Sequence, residues 1–397
     1  MAGMKHFLVL ILVGMASLTA CSRDEKPAGS RKVCLNMIVK NESQVIERCL
    51  TSVLPIIDYW IIVDTGSTDG TQEIIKNFMK KKGIAGELHE RPWKNFGHNR
   101  NEALQLAKGK ANYTLFIDAD EYLVYEPGFK LPSLDKDFYY VIIHHAESRY
   151  HRVQFIKDAL DWSWKGVLHE YVSAPNAVTS ETVDHVYNMY TTEGARSRDP
   201  QKYLKDAQVL EAGLKEEPNN SRYVFYLAQS YKDAGDPANA LKYYEKRAAM
   251  GGWDQEVFWS LYQVGCAEEN LGLPKERVVG SYTKAYQFRP SRLEPLYQLA
   301  HYFLITGDFQ SGYAAGIIAQ SIPSPQDLLF VQQWMHEYGA LLDLSICAYW
   351  IGKYDECQKI SLELLKRNLP ENVRTCVQNN LGFANAKLLE SQLTGTK

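Results

Sequence analysis

Three carboxylates follow directly on a run of large apolar residues in the segment LFIDADEYL, residues 115–123. Asp118, Asp120 and Glu121 arrive with no intervening glycine or proline. Carboxylates at the edge of a core are costly unless a cation lies beside them. The segment therefore predicts a cation at this point, although a D-x-D pattern alone is common by chance.

A further carboxylate, Asp64, ends an apolar run in IIVDTGSTDGT, residues 61–71. A carboxylate at the carboxyl end of a strand can accept a hydrogen bond from a nucleobase N–H or a ribose hydroxyl. Taken alone, the STDG segment is more typical of a helix start than of a binding loop. The interpretation depends on which elements bring these groups together.

Short apolar runs alternate with amphipathic stretches from Val33 to about Tyr190. This alternation predicts an α/β domain with a mainly parallel sheet, whose ligands bind at the carboxyl ends of the strands. An extended chain at 118–120 would put Asp118 and Asp120 on one side. We predict strands at 33–39, 59–65, 86–91 and 113–120, and helices at 43–57 with Ser43 as N-cap, 67–83 and 97–110.

The pattern changes near residue 195 to helix pairs of the tetratricopeptide type. Successive copies of a small/large pattern are offset by roughly 35 to 37 residues, near the 34 residues expected. We therefore predict an all-α tetratricopeptide-like solenoid at 196–390, a surface suited to a scaffold or to acceptor docking. The first copy carries Leu227, Ala228, Tyr231, Gly235, Ala240 and Tyr244.

Composition excludes some classes of function. With 45% hydrophobic residues and a formal charge of −3, the chain has no basic surplus that would indicate nucleic-acid binding. It contains no C-x-x-C motif and no Cys/His cluster with zinc-ligand spacing. The seven cysteines therefore favour free thiols and, apart from Cys21, a reducing compartment.

The N-terminus has the features of a secretion signal. An apolar run at 7–20 is too short for a transmembrane helix, and the LTAC sequence ending at Cys21 resembles a bacterial lipobox. This predicts a signal-like segment at 1–21 with lipidated Cys21, a polar tether at 22–32 and a membrane-anchored lipoprotein. The alternative is an uncleaved hydrophobic N-terminus on a cytoplasmic or inner-face membrane-associated protein.

The order of the motifs resembles the inverting glycosyltransferases of family 2, which have the GT-A fold. MIVKNES follows the first predicted strand, VDTGSTDGT the second, GHNRNEAL opens a helix, and FIDADEYL closes a later strand. The resemblance covers about residues 33–190, and the first two motifs are similar to those of members that carry tetratricopeptide repeats. It implies a GT-A domain at 33–195, with a Rossmann-like mixed sheet.

The resemblance also implies roles for individual residues. Asp118 and Asp120 would hold Mn²⁺ or Mg²⁺ against the diphosphate of a nucleotide-sugar. Asp64 would contact the uracil or ribose, and Lys40, Asn41 and Glu42 would border the nucleotide pocket. Arg100 corresponds to a family arginine near the nucleotide, with an ordinary helix-surface arginine as the alternative.

An inverting transfer needs a base that deprotonates the acceptor hydroxyl, and the resemblance points to the HE pair in WSWKGVLHEYV. Glu170 is the candidate general base, and His169 a third metal ligand or an acceptor contact. The alternative is a solvent-facing polar pair. The ED acid pair used by many family members is absent from this sequence. Trp162 and Trp164 would stack on a sugar or pack in the core.

These features predict a metal-dependent inverting transferase of the hexosyl or N-acetylhexosaminyl type. Its donor would be a nucleotide-sugar, most simply UDP-linked, and its acceptor a glycan, a lipid or a protein docked with help from the repeats. The alternative is a tetratricopeptide scaffold lipoprotein with an inactive transferase-like head. The signal-like N-terminus favours that alternative, because nucleotide-sugars are cytosolic.

Overall fold

The computed structural model describes residues 32–145 and 148–394. The lipobox cysteine Cys21 and nearly all of the predicted tether lie outside these residues. The chain divides into two compact units. An α/β unit takes the residues up to Trp93 together with Asn99–Ser163 and Ser173–Gly194, and a helical unit takes Lys94–His98, Trp164–Val172 and Ala195–Lys397.

The α/β unit is built on one eight-stranded sheet with three helices. Its strands in chain order are β1 Val33–Val39, β2 Tyr59–Asp64, β3 Gly86–Glu90, β4 Tyr113–Phe116, β5 Tyr122–Tyr125, β6 Phe138–His145, β7 Ser148–Lys157 and β10 Ser180–Met189. Two short strands, β8 Ser163–Lys165 and β9 Tyr171–Ser173, pair separately. The helices are α1 Ile46–Val53, α2 Thr71–Lys82 and α3 Phe96–Ala107.

The sheet has the order β3-β2-β1-β4-β7-β6-β10-β5 and is mixed. Strands β3, β2, β1 and β4 run parallel, whereas β7 is antiparallel to both β4 and β6. Every residue of β2 and β4 is buried, as expected for strands covered on both faces. The predicted Rossmann-like mixed sheet is therefore confirmed, and the carboxyl ends of β1, β2 and β4 share one edge.

Two local predictions are wrong. The first helix begins at Ile46 without a side-chain cap, so Ser43 does not cap it, and the Ser43 N–H donates to Asp69 Oδ2 at 3.0 Å. The segment 118–121 is a turn, closed by the Glu121 N–H on the Asp118 carbonyl at 3.1 Å, so the extended alternation of Asp118 and Asp120 does not occur. In both places a side-chain or turn hydrogen bond replaces the regular pattern.

The helical unit contains ten α-helices among its described residues, and each packs against the next in sequence. A π-helical turn at Met335–Gly339 leads into the eighth of them. The α-helices are α4 Lys202–Glu216, α5 Ser221–Asp233, α6 Pro237–Ala249, α7 Asp254–Asn270, α8 Lys275–Phe288, α9 Glu294–Ile305, α10 Phe309–Ala319, α11 Ala340–Trp350, α12 Tyr354–Leu364 and α13 Glu371–Thr394.

Small residues allow these helices to approach each other, as the tetratricopeptide pattern predicts. A Cβ built on Gly265 of α7 would lie 2.6 Å from the ring of Tyr282 on α8. Gly235 and Gly307 adopt φ values of +77° and +78° just before helices capped by Asp236 and Asp308. Of the helices in residues 32–145 and 148–394, none combines the length and apolar character needed to cross a bilayer.

Candidate active site

Asp64 lies at the end of β2 and is 1% exposed. Its Oδ1 accepts hydrogen bonds from the N–H groups of Gly66 at 2.9 Å and Ser67 at 2.8 Å, and from Gln72 Nε2 at 3.1 Å. Its Oδ2 is buried and accepts no hydrogen bond within the described part of the chain. A buried acceptor without a donor is costly, so this oxygen is suited to a ligand N–H or O–H.

Asn41 fastens the loop after β1 to the loop after β2. It adopts a φ of +58°, and its N–H donates to Ser67 Oγ while its Oδ1 accepts from the Thr68 N–H, both at 2.8 Å. The Glu42 N–H donates to Thr71 Oγ1, also at 2.8 Å. The STDGT segment is therefore both the start of α2 and the partner of the KNE loop.

Arg100 of α3 contacts Asp118, the first carboxylate of the turn at residues 118–121, which we call the acidic turn. Its Nη2 lies 2.7 Å from Asp118 Oδ1, and Arg152 Nη1 of β7 lies 3.9 Å from Asp118 Oδ2. The Arg100 side chain is 13% exposed, whereas the Asp118 side chain is 38% exposed, so the carboxylate keeps access to solvent. Arg100 and Asp118, which the sequence analysis assigns to the donor site, are thus brought together.

Glu121 is the fully buried member of the acidic turn. Arg152 holds both of its carboxylate oxygens, at 2.9 Å for Nη1 and by a shorter Nη2 contact, and Asn188 Nδ2 donates to Oε2 at 2.7 Å. Arg152 and Asn188 lie on β7 and β10 respectively. The predicted cation beside Glu121 is therefore the Arg152 side chain, which spacing along the sequence could not identify.

Asp120 is anchored through its backbone carbonyl. Its carbonyl accepts from Arg48 Nη2 at 3.2 Å and from Thr191 Oγ1 at 2.7 Å. A Cβ on Gly194 would lie 2.6 Å from Asp120 Oδ2, so the chain there must be glycine or shift. Burial first, and then the charges of Asp118 and Glu121, raise the pKa of Asp120 to about 6.

The residues present fit a divalent cation held by few protein ligands. Burial, and then the charges of Asp118 and Glu121, disfavour the ionised form of Asp120, and a bound cation would offset both effects. Within residues 32–145 and 148–394, no group of three or more His, Cys, Asp or Glu side chains is placed to hold a metal. Phosphate and water oxygens would therefore supply most of the coordination shell.

His169 and Glu170 lie between β8 and β9, in the stretch that groups with the helical unit. The His169 ring stacks on Tyr226 with centroids 3.9 Å apart, and its carbonyl accepts from Arg222 Nη2 at 2.8 Å. Desolvation, and then the charges of Arg196, Arg222 and Lys202, lower the pKa of His169 below its ordinary value. A neutral ring is consistent with packing, with an acceptor contact or with the predicted role as a metal ligand.

Trp162, which the sequence analysis considers for sugar stacking or for the core, is 8% exposed. Its Nε1 donates to the Lys157 carbonyl at 2.9 Å, and its ring meets Phe138 edge-on at 5.9 Å. Trp162 therefore packs in the core of the α/β unit rather than presenting a free ring face. Lys40 is exposed beside the loop that follows β1.

Sequence reasoning missed Arg48, Arg152 and Asn188. Arg48 contacts the Asp120 carbonyl and also lies over the Tyr122 ring at 4.7 Å. Arg152 occupies a strand that the sequence analysis did not predict, and its alternation with apolar Val153 and Phe155 was the only available signal. These residues surround the acidic turn from three different elements.

Comparison with known proteins gives partial matches to proteins named for TPR repeats and to proteins named as glycosyltransferases. A TPR repeat-containing protein of Synechococcus elongatus is 37% identical over 106 residues, 27% of this chain and 25% of that protein. An uncharacterized glycosyltransferase of Rickettsia prowazekii is 31% identical over 120 residues, 30% of this chain and 36% of that protein. The SPbeta prophage-derived glycosyltransferase SunS of Bacillus subtilis is 38% identical over 89 residues, 22% and 20% of the two chains.

The matched segments thus span between a fifth and about a third of these relatives' own lengths. Among solved structures, MamA is 18% identical with a TM-score of 0.36 over 45% of this chain and 95% of its own. The thermophilic TPR protein TTC0263 of Thermus thermophilus is 15% identical with a TM-score of 0.33 over 45% of this chain and 91% of its own.

The family comparison coincides with the part of the chain that carries the acidic turn. Residues 34–134 match the model of Glycosyl transferase family 2. This range includes Asp64, Arg100, Asp118 and Asp120. The chain therefore carries a family 2 glycosyltransferase domain at residues 34–134.

Proposed function

We propose that this protein is a metal-dependent glycosyltransferase that takes a sugar from a nucleotide-sugar, most simply a UDP-sugar. The observation that carries the proposal is that two carboxylates follow the parallel strands β2 and β4 at one edge of the sheet. Asp64 Oδ2, at the end of β2, accepts no hydrogen bond from the part of the chain that the structure describes, and Asp120, after β4, has a raised pKa. A nucleoside would supply a donor to Asp64, and a divalent cation would supply positive charge beside Asp120.

Asp118 and Asp120 would hold Mn²⁺ or Mg²⁺. A divalent cation bound there would neutralise the charge that develops on the leaving diphosphate. Arg100 orients Asp118 through the 2.7 Å contact. The bonds of Asn41 and Glu42 to Ser67 and Thr71 keep the nucleotide loops in one arrangement, so that Asp64 is preorganised for the base or ribose.

We assign the general base to Glu170, with inversion at the anomeric carbon. The support is its position in LHE after the metal motif, together with the family 2 domain. The Glu170 carboxylate would take the proton of the acceptor hydroxyl as that oxygen attacks from the face opposite the diphosphate. His169 would contact the acceptor.

The helical unit would dock the acceptor, a glycan, a lipid or a protein. Stacked helix pairs present extended surfaces that bind partners. Lipidated Cys21 would anchor the mature chain at a membrane, which is a separate proposal because it rests on the N-terminal sequence alone. The transferase is favoured over an inactive head because Asp64, Asp118 and Asp120 are all retained in the matched domain.

Binding of nucleotides to the purified protein tests this function. Asp118→Asn and Asp120→Asn remove charge at nearly constant shape, so each should weaken Mn²⁺-dependent UDP binding by at least about 10-fold without altering circular dichroism. Asp64→Asn should weaken UDP binding with and without Mn²⁺. The exposed Asp184→Asn is the matched control.

Two outcomes would contradict the proposal. Equal UDP affinity in the unmodified protein and in Asp118→Asn and Asp120→Asn would remove these residues from the donor site. Failure of a panel of nucleotide-sugars to bind or be hydrolysed, with either Mn²⁺ or Mg²⁺ present, would remove the transferase assignment.

A further inference from the structure

A segment of the helical unit without helix or strand lies against α5 and α7 and the connection between α8 and α9. Residues 323–332 follow α10 and precede the π-helical turn. Exposure alternates along them: residues 325, 327 and 329 are half-buried, whereas 326, 328 and 330 are exposed. Alternation of this kind belongs to an extended chain lying on a surface. We call residues 325–330, with the sequence PQDLLF, the strap.

The acidic residue of the strap is held by two arginines. Asp327 Oδ1 accepts from Arg289 Nη2 at 2.6 Å, and Oδ2 accepts from Arg289 Nε at 2.7 Å and Arg292 Nη1 at 3.1 Å. The Asp327 side chain is 9% exposed. Arg289, and in second place Arg292, lower the pKa of Asp327. A fork of this geometry recognises a carboxylate specifically.

Side chains of the helical unit also form hydrogen bonds with the backbone of the strap. Gln255 Oε1 on α7 accepts from the N–H groups of Leu328 and Leu329, both at 2.9 Å. Arg292 donates to the carbonyls of Leu329 and Phe330, both at 3.0 Å. Arg292 is itself fully buried and held by Glu294. These contacts involve only main-chain groups of the strap, so a peptide that adopts the bend at residues 328 and 329 would offer them too.

An aromatic ring forms the second side-chain anchor. Phe330 packs on Trp259 at 5.0 Å and on Phe225 at 6.3 Å between ring centroids. Phe330 nevertheless remains 40% exposed and has a φ of +47°, a left-handed conformation that is unfavourable for a non-glycine residue. Leu328, between the two anchors, is 86% exposed. The strap is thus attached at two points and strained at one of them.

We propose that Gln255, Arg289, Arg292, Phe225 and Trp259 form a binding site for a peptide that bends as the strap does and in which an aspartate is followed, three residues later, by an aromatic residue. The strap occupies this site in the same chain and so displays the chemistry of its ligand. An acceptor or partner protein with such a segment displaces the strap. This site is independent of the transferase chemistry.

Because the strap belongs to the same chain as its site, its effective concentration is in the millimolar range. A free peptide therefore competes poorly with it. Weakening the strap should therefore reveal the site. We call the double variant Asp327→Asn, Phe330→Ala the strap-weakened protein. We expect it to bind a fluorescent peptide of residues 321–333 at least about 10-fold more tightly than the unmodified chain does. Fluorescence anisotropy on the full chain measures this directly.

Three controls define the result. Leu328→Ala changes an exposed side chain and should leave peptide binding as weak as in the unmodified chain. A peptide with asparagine and alanine in place of its aspartate and phenylalanine should bind the strap-weakened protein at least about 10-fold less tightly. Adding Gln255→Ala to the strap-weakened protein should also reduce binding, since it removes the side-chain oxygen that accepts two main-chain N–H groups.

The proposal is overturned if the strap-weakened protein keeps its circular dichroism and melting transition but binds no peptide. It is also overturned if both peptides bind equally. A dimer of the strap-weakened protein that forms at high concentration and that excludes the peptide would assign the site to a second copy instead. Peptide binding does not depend on transferase activity, so failure of either proposal can be recognised separately.

Discussion

Arginines decide what each carboxylate of the acidic turn can do. Glu121 is committed to Arg152 and Asn188, and Asp118 to Arg100. Asp120 differs, because Arg48 contacts its carbonyl and burial raises its pKa to about 6. Among the three, Asp120 is therefore the carboxylate best suited to be completed by a bound cation.

Glu121→Gln tests the structural role of the buried pair. The change leaves the Arg152 guanidinium facing a neutral amide, and breaking a buried pair by removing one partner costs about 3 kcal/mol. We expect a lower urea midpoint of unfolding. Glu126→Gln, on the exposed neighbour that pairs loosely with His185 at 3.7 Å, is the control and should change the midpoint little. Equal midpoints for the two variants would show that the buried pair does not stabilise the unit.

Glu170→Gln tests the proposed base. Removal of a general base lowers the rate by roughly 10² to 10⁴, whereas the donor does not contact this side chain in the proposed mechanism. We expect kcat to fall with little change in nucleotide-sugar affinity, measured by steady-state kinetics and by calorimetry. A loss of donor binding with an unchanged rate at saturation would assign Glu170 to a positioning role.

At the scale of elements, ion pairs between neighbouring helices fix the helical unit. His301 on α9 lies 2.8 Å from Asp343 on α11. Arg247 on α6 pairs with Glu256 on α7 at 2.8 Å, with the arginine 1% exposed. Each pair joins helices that the small/large pattern brings together, so register and charge pairing support the same packing.

The His301–Asp343 pair makes stability depend on pH. The hydrogen bond to Asp343 raises the pKa of His301 above its ordinary value of 6.5. The protonated form therefore contributes stability that is complete below pH 6.5 and is lost as the pH rises through the folded-state pKa. We expect the melting temperature of the helical unit to fall over this rise, and His301→Gln to remove that part of the dependence. A parallel profile in the variant would refute the assignment.

At the scale of the whole molecule, the N-terminal sequence bears on where the protein works. If Cys21 is lipidated, the mature chain begins there, and two or more acyl chains hold it stably at a membrane. We expect Cys21→Ala to leave an uncleaved precursor and to change membrane fractionation. Intact-mass analysis of the native protein is the measurement, and an unmodified chain beginning at Met1 or Met4 would refute the prediction.

The sequence by itself determined the first four strands and three helices of the α/β unit, and the helical unit after them, but not β5 to β10. The apolar runs located β1, β2 and β4 within a few residues, and the small/large repeat located the helical unit, because periodicity reports burial directly. The order of the loop motifs pointed to Asp64, Arg100, Asp118 and Asp120, which lie in the domain matched by the family model. Signals of this kind are local in sequence and require no knowledge of distant contacts.

Only the tertiary structure decided which charges meet. Arg152 and Asn188 are 31 and 67 residues from Glu121, and Arg289 and Arg292 are 38 and 35 residues from Asp327. The turn at 118–121 and the start of α1 at Ile46 likewise depend on hydrogen bonds that compete with the regular pattern. Such pairings depend on strand order and helix packing, because chain topology, not spacing along the sequence, sets the distance between two side chains.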